Sequence, residues 1–267
     1  NHKESIILIG NFDGLHLGHQ KLFSLAEKYK KKYSLKIGVL TFEPMPKMYF
    51  DTSRKNFRIS SKNQKINLLN KFKVDYVILK KFDKNFSKIK SLDFIDKILV
   101  KKINAKFIFV SNNFRFGNKR EGNVKLLNKF EKKYNYKIVK PKPLSNKKKI
   151  VSSTLIRNFL QKGKIDRANK LLNRKWSIEG KVQKGRQIGK KMGFPTANID
   201  IGNYISACPG VYAVQVQVPK SSKYIKGIAN LGYRPTFNGK KILLEVHLFN
   251  FSGNLYNKYL TVEFVKF

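Results

Sequence analysis

Two histidines three residues apart, His16 and His19, stand in the run Gly10-Asn11-Phe12-Asp13-Gly14-Leu15-His16-Leu17-Gly18-His19-Gln20. Before them lies the apolar run Ile6–Ile9, the signature of a buried parallel strand. After Gly18 comes an amphipathic pattern with Leu22, Leu25, Ala26 and Tyr29 on one helical face. The histidines therefore sit where a strand hands over to a helix. Backbone N–H groups and the helix dipole favour an anion there. Two imidazoles added to that end would receive a phosphate chain. Helix capping and metal ligation are the competing readings. Against a metal, no third His, Cys or carboxylate stands at a ligand spacing, and the chain has only four His. Gly10 and Gly14 flank Asp13 closely, which suits near approach of backbone to a ligand.

Other residues fit the same chemistry. Asn113 follows a strand-like run and can donate or accept. In Ser152-Ser153-Thr154-Leu155-Ile156-Arg157, Ser152 or Ser153 is a good N-cap, and Thr154 and Arg157 are spaced to reach one anion. Taken alone, plain helix capping explains Ser153, Thr154 and Arg157 better. No carboxylate pair or Ser-His-Asp order suggests covalent catalysis, so this half reads as an electrostatic phosphoryl site. Further on, Gly185, Gly189 and Gly193 recur every four residues, as in a loop that wraps phosphates. Lys190 is followed by Lys191, which excludes a Walker A loop. Thr196 and Asn198 are hard oxygen donors suited to Mg²⁺. Glu245 shares a strand face with Leu243 and His247, a carboxylate turned to the barrel side that is a candidate general base. A Gly-rich turn and a solvent-facing Glu are the ordinary alternatives.

The elements that must hold these residues fall into two groups. Strand-like runs at Ile6–Ile9, Ile37–Thr41, Tyr76–Leu79, Phe107–Val110 and Tyr136–Val139 alternate with helical patterns at Lys21–Tyr33, Ser60–Lys71, Ser91–Lys101 and Val124–Tyr134. That alternation predicts an α/β domain with a parallel sheet covered on both faces. Its ligands should bind at the carboxyl ends of the strands, in Asn11–His19, Phe42–Pro46 and Ser111–Gly117. Two short helices are expected around Thr154–Gln161 and Ile165–Asn173. From Trp176 the texture turns to alternating β-rich runs, at Ser177–Val182, Val211–Val218, Tyr224–Leu231, Ile242–Phe249 and Leu260–Phe267, which predict a small antiparallel barrel.

Composition narrows the class. The chain has 267 residues, of which 41% are hydrophobic, enough for buried cores. No apolar run reaches membrane-span length and no secretory signal opens the chain, so a cytoplasmic protein is expected. The one cysteine, Cys208, excludes an intramolecular disulfide. A net charge of +41 invites a polyanion. Yet lysine greatly outnumbers arginine and is spread along the whole chain, which reads as compositional drift rather than a nucleic-acid surface. No RNA-recognition run, zinc finger or recognition-helix pattern appears, so no specific nucleic-acid partner is expected.

Taken in order, these runs resemble the bacterial bifunctional riboflavin kinase/FMN adenylyltransferase family, also called FAD synthetase. The carriers in the first part are Gly10-Asn-Phe-Asp-Gly-Leu-His-Leu-Gly-His19, Thr41-Phe-Glu-Pro44, Asn113-Phe-Arg-Phe-Gly117 and Ser152-Ser-Thr-Leu-Ile-Arg157. In the second they are Gly193-Phe-Pro-Thr-Ala-Asn198, Pro209-Gly-Val-Tyr212, Asn230-Leu-Gly-Tyr-Arg-Pro-Thr-Phe237 and Glu245-Val-His247. The resemblance implies a Rossmann-like nucleotidyltransferase domain over 1–174 and a riboflavin kinase barrel over 175–267. It implies ATP and Mg²⁺, with riboflavin, FMN and FAD as substrate and products. Glu245 would be the kinase base, Thr196 and Asn198 the holders of Mg²⁺ and phosphate, and Gly185, Gly189 and Gly193 its phosphate loop. In the other half, His16 and His19 would steady the α- and β-phosphates, within a loop that includes Gly10, Phe12, Asp13 and Gly18. Ser153, Thr154 and Arg157 would take the phosphate tail and Asn113 the FMN side.

The chain departs from the family pattern at Met45, where the family has His, at Ser111, where it favours Gly, and at Asn257, where Gly is usual. The Met removes a polar contact expected near the flavin phosphate, and the Ser is expected to narrow its loop. The chain also stops at Phe267, short of a C-terminal segment the family carries. The alternative activity is therefore an adenylyltransferase whose barrel binds flavin without turnover.

Overall fold

The computed structural model describes residues 4–146, 149–184, 195–219, 223–236 and 239–267, with backbone alone for 234–236 and 239–241. Two compact units are present: Asn1–Arg54 with Lys62–Val151, and Lys55–Ser61 with Ser152–Phe267.

In the first unit, β1 (Ser5–Ile9), β2 (Lys36–Glu43), β3 (Tyr76–Lys81), β4 (Ala105–Phe109) and β5 (Lys137–Val139) form a parallel sheet in the order β3-β2-β1-β4-β5. The expected parallel α/β sheet is therefore present. Every residue of β1 is buried, as a central strand with both faces covered requires. Its side chains alternate between two cores. Ile7 and Ile9 join Leu40, Ile108 and Val110 on one face, while Ile6 and Leu8 join Val39, Phe107 and Phe109 on the other. Helix α1 (Leu17–Tyr33) closes the second face with Leu22, Phe23 and Ala26, aided by Leu69 of α2 (Lys62–Asn70). The first face is closed by Phe94, Ile95 and Leu99 of α3 (Phe94–Lys102).

The chain lays down β1, β2 and β3 in one direction, then returns to place β4 on the far side of β1. The order reverses between β1 and β4, and in such sheets the crevice at that reversal is the binding position. The loops that follow these two strands carry His16, His19 and Asn113. Local differences from expectation are few. After one α-turn at Ser91–Asp93, α3 winds as a π-helix, with Ile103 N–H reaching Ile98 O at 2.9 Å. Phe94, Ile95 and Leu99 of this helix are buried in one core. The helix expected over Val124–Tyr134 is interrupted at Phe130.

In the second unit β6 (Trp176–Gln183), β7 (Thr196–Asp200), β8 (Gly210–Gln217), β9 (Tyr224–Thr236), β10 (Gly239–Leu248) and β11 (Tyr259–Lys266) close into an antiparallel barrel, in the order β6-β7-β10-β9-β8-β11. Five of these strands are those expected from the sequence. The sixth, Thr196–Asp200, lies where a loop is expected, and its Ala197 and Ile199 are buried and paired to β10. Trp176 and Phe264 face each other across the ladder with ring centroids 4.5 Å apart, and Tyr212 meets Phe264 at 5.0 Å. Helices Ser153–Gln161 and Ile165–Leu172 fold with this barrel, on the C-terminal side of Val151. Asn169 explains the second: its Nδ2 donates to Phe264 O at 2.9 Å, and its Oδ1 accepts from Trp176 N–H at 2.7 Å.

Residues 55–61 also belong to this unit. Trp176 Nε1 donates to Ile59 O at 2.9 Å, Phe57 N–H reaches Asn203 O at 3.0 Å, and Ile205 N–H reaches Arg58 O at 2.7 Å.

Candidate active sites

In the first unit the turn after β1 begins with Gly10, whose N–H donates to Leu40 O at 3.1 Å. Phe12 (φ 48°) and Gly14 (φ 79°) then take left-handed backbone. The Phe12 ring lies over Gly10, where an added Cβ would stand 3.3 Å from it. The same ring meets the His19 imidazole edge-on at 5.2 Å. His16 occupies the N-cap position of α1, yet its side chain makes no capping hydrogen bond, so capping does not account for it. Its ring instead stacks on His19, with centroids 3.7 Å apart and planes 17° apart. Gly18 permits this: a Cβ there would stand 3.1 Å from His16 Cε1 and 3.4 Å from Val151 O. His16 and Asp13 are both buried.

His19 Nδ1 is buried with no hydrogen-bond partner. Burial, and secondly the neighbouring His16, hold the His19 imidazole well below its ordinary pKa of 6.5. Near neutral pH His19 is therefore an uncharged ring. A buried polar atom without a partner beside a second imidazole is a common mark of a ligand position. An anion seated there would offset the loss of hydration that, more than the neighbouring ring, keeps His19 neutral.

Gly10 and Asn11 also line a cavity of about 550 Å³, together with Asn113 from the loop after β4. Its walls are aromatic, with Phe42, Phe50, Phe82, Phe86, Phe114 and Phe116 among them. Its rim is cationic: Lys47, Arg54, Arg115, Lys119 and Arg120 against the carboxylate of Asp51, which Arg54 meets at 2.6 Å. The cavity thus combines a large apolar slot with a positive mouth. Gly117 makes the Asn113 loop possible: its φ is +76°, and a Cβ would lie 2.9 Å from Ser91 Cα. Asn113 Oδ1 accepts from Ser111 Oγ at 2.9 Å. Met45, where a polar residue was expected, is buried and begins the short helix Pro46–Phe50, whose Pro46 and Phe50 line the cavity.

The aromatic walls from β3 onward, Phe82 and Phe86, were not singled out in the sequence. The rule that ligands gather at strand carboxyl ends would have reached them, since they follow β3. Lys65 was also missed. Its buried Nζ donates to Thr41 Oγ1 at 3.1 Å, and Thr41 Oγ1 in turn lies 3.4 Å from Asn11 O. Nothing in the lysine-rich sequence sets this one apart.

Ser152 proves to be the N-cap of the helix Ser153–Gln161, accepting from Leu155 N–H at 3.2 Å. Ser153 and Thr154 open its first turn. Arg157 is buried in the second unit, its guanidinium 3.7 Å above the Phe57 ring and its Nε donating to Phe57 O at 2.8 Å.

On the barrel, Asn198, Glu245 and Asn230 are direct cross-strand partners in a row over β7, β10 and β9, and Thr196 pairs with His247. Directly paired residues share a face. Ala197, Leu244, Val246, Ala229 and Leu231 point to the buried interior, so the row lies on the outer face. Glu245 does share a face with Leu243 and His247, and that face is turned away from the interior. Asn198 is buried even so. His247 Nδ1 lies 3.0 Å from Pro195 O, where it can only donate. Thr196 is in the wall of a second cavity, of about 580 Å³, with Phe251, Asn254 and Tyr256. Asn257 has φ 63°, a left-handed geometry that Asn tolerates best after Gly. Gly185, Gly189 and Gly193 lie outside the described residues. Among the described residues no cluster of three His, Cys, Asp or Glu could hold a metal, and no helix is long and apolar enough to cross a membrane.

Comparison with known proteins matches residues 1–155 to the FAD synthetase family and residues 172–267 to the riboflavin kinase family. A bifunctional riboflavin kinase/FMN adenylyltransferase of Buchnera aphidicola (subsp. Schizaphis graminum) is 43% identical over 98% of this chain and 85% of its own length. Proteins of the same description are 39% identical in Haemophilus influenzae (97% and 83% covered) and 36% in Escherichia coli K12 (96% and 82%). A solved structure described as a macrolide-efflux protein from Streptococcus pneumoniae superposes with a TM-score of 0.87 at 27% identity, covering 100% of this chain and 86% of that one. That last likeness is one of fold. With both domains matched in order and relatives alike over nearly the whole chain, this protein belongs to the bifunctional riboflavin kinase/FMN adenylyltransferase family.

Proposed function

We propose the following division of labour for the two reactions, with 1–174 serving as the adenylyltransferase and 175–267 as the kinase. In the kinase, Glu245 takes the proton of the riboflavin 5′-hydroxyl as that oxygen attacks the γ-phosphorus of ATP, and ADP leaves. Its place on the outer face beside the buried Asn198 supports this role. Thr196 and Asn198 would hold Mg²⁺. Two neutral oxygen donors suit an ion that keeps waters and completes its shell with phosphate oxygens. Bound there, the ion would neutralise charge on the transferring phosphoryl group. The glycines Gly185, Gly189 and Gly193 would wrap the phosphates.

In the adenylyltransferase, a phosphate oxygen of FMN attacks the α-phosphorus of a second ATP, and pyrophosphate leaves. The observation that carries this half is the stacked pair of buried His16 and half-buried His19, whose turn also supplies Gly10 and Asn11 to the aromatic cavity. The pair donates to the α- and β-phosphates, while Gly10, Phe12, Asp13 and Gly18 shape the turn. Asn113 and the aromatic walls receive the flavin. For Ser153, Thr154 and Arg157 the support is the sequence motif, which assigns them to the phosphate tail. No covalent intermediate on the protein is needed. The need for ATP fits a cytoplasmic location, and small molecules, not a specific nucleic acid, are the partners.

The test is incubation with riboflavin, ATP and Mg²⁺, and separately with FMN, ATP and Mg²⁺, with flavins separated by chromatography. FAD from both supports both roles. FAD from FMN alone would favour the reading in which the barrel binds flavin without turnover. No product from either overturns the assignment.

A further inference from the structure

Ser111 and Asn113 face the same cavity and touch one another, the serine hydroxyl donating to Asn113 Oδ1 at 2.9 Å. A carboxamide has one acceptor oxygen and one donor nitrogen. With the oxygen engaged by Ser111, the NH₂ group is the end left to face a ligand. The charged groups that line the cavity are mostly cationic. Five cationic side chains and one carboxylate surround the mouth, so acceptor-rich ligands are favoured throughout. From this geometry we infer that Ser111 is a positioning residue, which fixes Asn113 as a hydrogen-bond donor to an acceptor oxygen of the flavin substrate.

The inference rests on the first unit being the FMN adenylyltransferase. The acceptor is either a carbonyl oxygen on the flavin ring or an oxygen of the FMN phosphate. Both have the chemistry that Asn113 Nδ2 would meet. Without Ser111 the carboxamide is free to turn over and present its oxygen, which would repel the same acceptor. A hydroxyl is thus worth one oriented hydrogen bond here, an effect of about three- to ten-fold on binding.

The test measures FAD formation from FMN and ATP with the full chain. Ser111→Ala is expected to raise KM for FMN about three- to ten-fold with kcat little changed, and Ser111→Thr to restore it. In an Asn113→Ala background, Ser111→Ala should have no further effect, because it acts through that amide. Riboflavin phosphorylation by the same preparations and their thermal unfolding serve as controls for the fold. Lumiflavin, which has the ring but no ribityl phosphate, separates the two acceptors. If Ser111→Ala weakens its inhibition of FAD formation, the partner is a ring carbonyl, and if only FMN is weakened it is the phosphate. Either result supports the inference. An unchanged KM in Ser111→Ala, or the same loss with and without Asn113, overturns it. The family reading fails separately, and only if the unsubstituted protein makes no FAD.

Discussion

At the residue scale, the stacked histidine pair makes the sharpest demands. His19→Asn removes a phosphate donor and should lower kcat/KM for FAD formation by about 10²–10³-fold, the scale of a lost transition-state donor. Phosphorylation of riboflavin should be unaffected. The same residue links stability to pH. Its folded pKa is lowered, so acid gives the unfolded chain a proton that the folded chain refuses. The stability that goes with a neutral His19 is complete above its ordinary value of 6.5 and falls as pH drops below it. Thermal unfolding between pH 7 and 5 should thus show a smaller acid loss in His19→Asn than in the unsubstituted chain; equal losses would argue against the buried neutral ring. For Glu245→Gln, FMN formation should drop by about 10²–10⁴-fold while FAD formation from supplied FMN continues. A variant that still phosphorylated riboflavin at full rate would remove Glu245 from the mechanism. What was legible in sequence is placement: the apolar runs Ile6–Ile9 and Phe107–Val110 put His16, His19 and Asn113 in the loops after two adjacent strands. That the imidazoles stack, or that one lysine among many is Lys65 at Thr41, depends on side-chain packing that no spacing encodes.

At the element scale, the central strands were legible because burial on both faces demands unbroken apolar runs, as in Ile6–Ile9 and Phe107–Val110. The strand Thr196–Asp200 was not, because its outward positions carry Thr and Asn where a polar loop would carry them too. The π-winding of α3 was equally hidden, since its apolar residues satisfy an ordinary helical pattern. The loop after β4 offers a test at this scale. Gly117→Ala combines a left-handed φ with a contact to Ser91 backbone. It should destabilise the first unit by about 1–3 kcal/mol and raise KM for FMN, because Asn113 rides on the same loop. Denaturant unfolding checks the first effect and steady-state kinetics the second.

At the scale of the whole molecule, the net charge of +41 acts on every phosphate-bearing substrate at long range. Raising ionic strength from about 0.05 to 0.5 M shortens the screening length from roughly 14 to 4 Å. KM for ATP should then rise in both reactions while kcat holds. Flat kinetics over that range would leave the charge with no part in substrate capture. That a parallel sheet gives way to a barrel was plain from the change of pattern at Trp176, but that the helices Ser153–Gln161 and Ile165–Leu172 fold with the barrel was not. The membership of residues 55–61 was not, since a short polar stretch carries no sign of which core it will join.

That stretch bears on how the protein is made. Phe57 and Ile59 leave the ribosome well before Arg157, Trp176 and Tyr204, the residues that grip or flank them in the finished fold. The barrel's indole finds its acceptor in a carbonyl synthesised more than a hundred residues earlier (59 against 176). The last strand of the sheet, Lys137–Val139, is also synthesised before these partners, so the strap's barrel contacts can form only after the sheet's whole sequence has been made. A gene fragment starting at Ser152 would encode every strand of the barrel and still omit one of its seams.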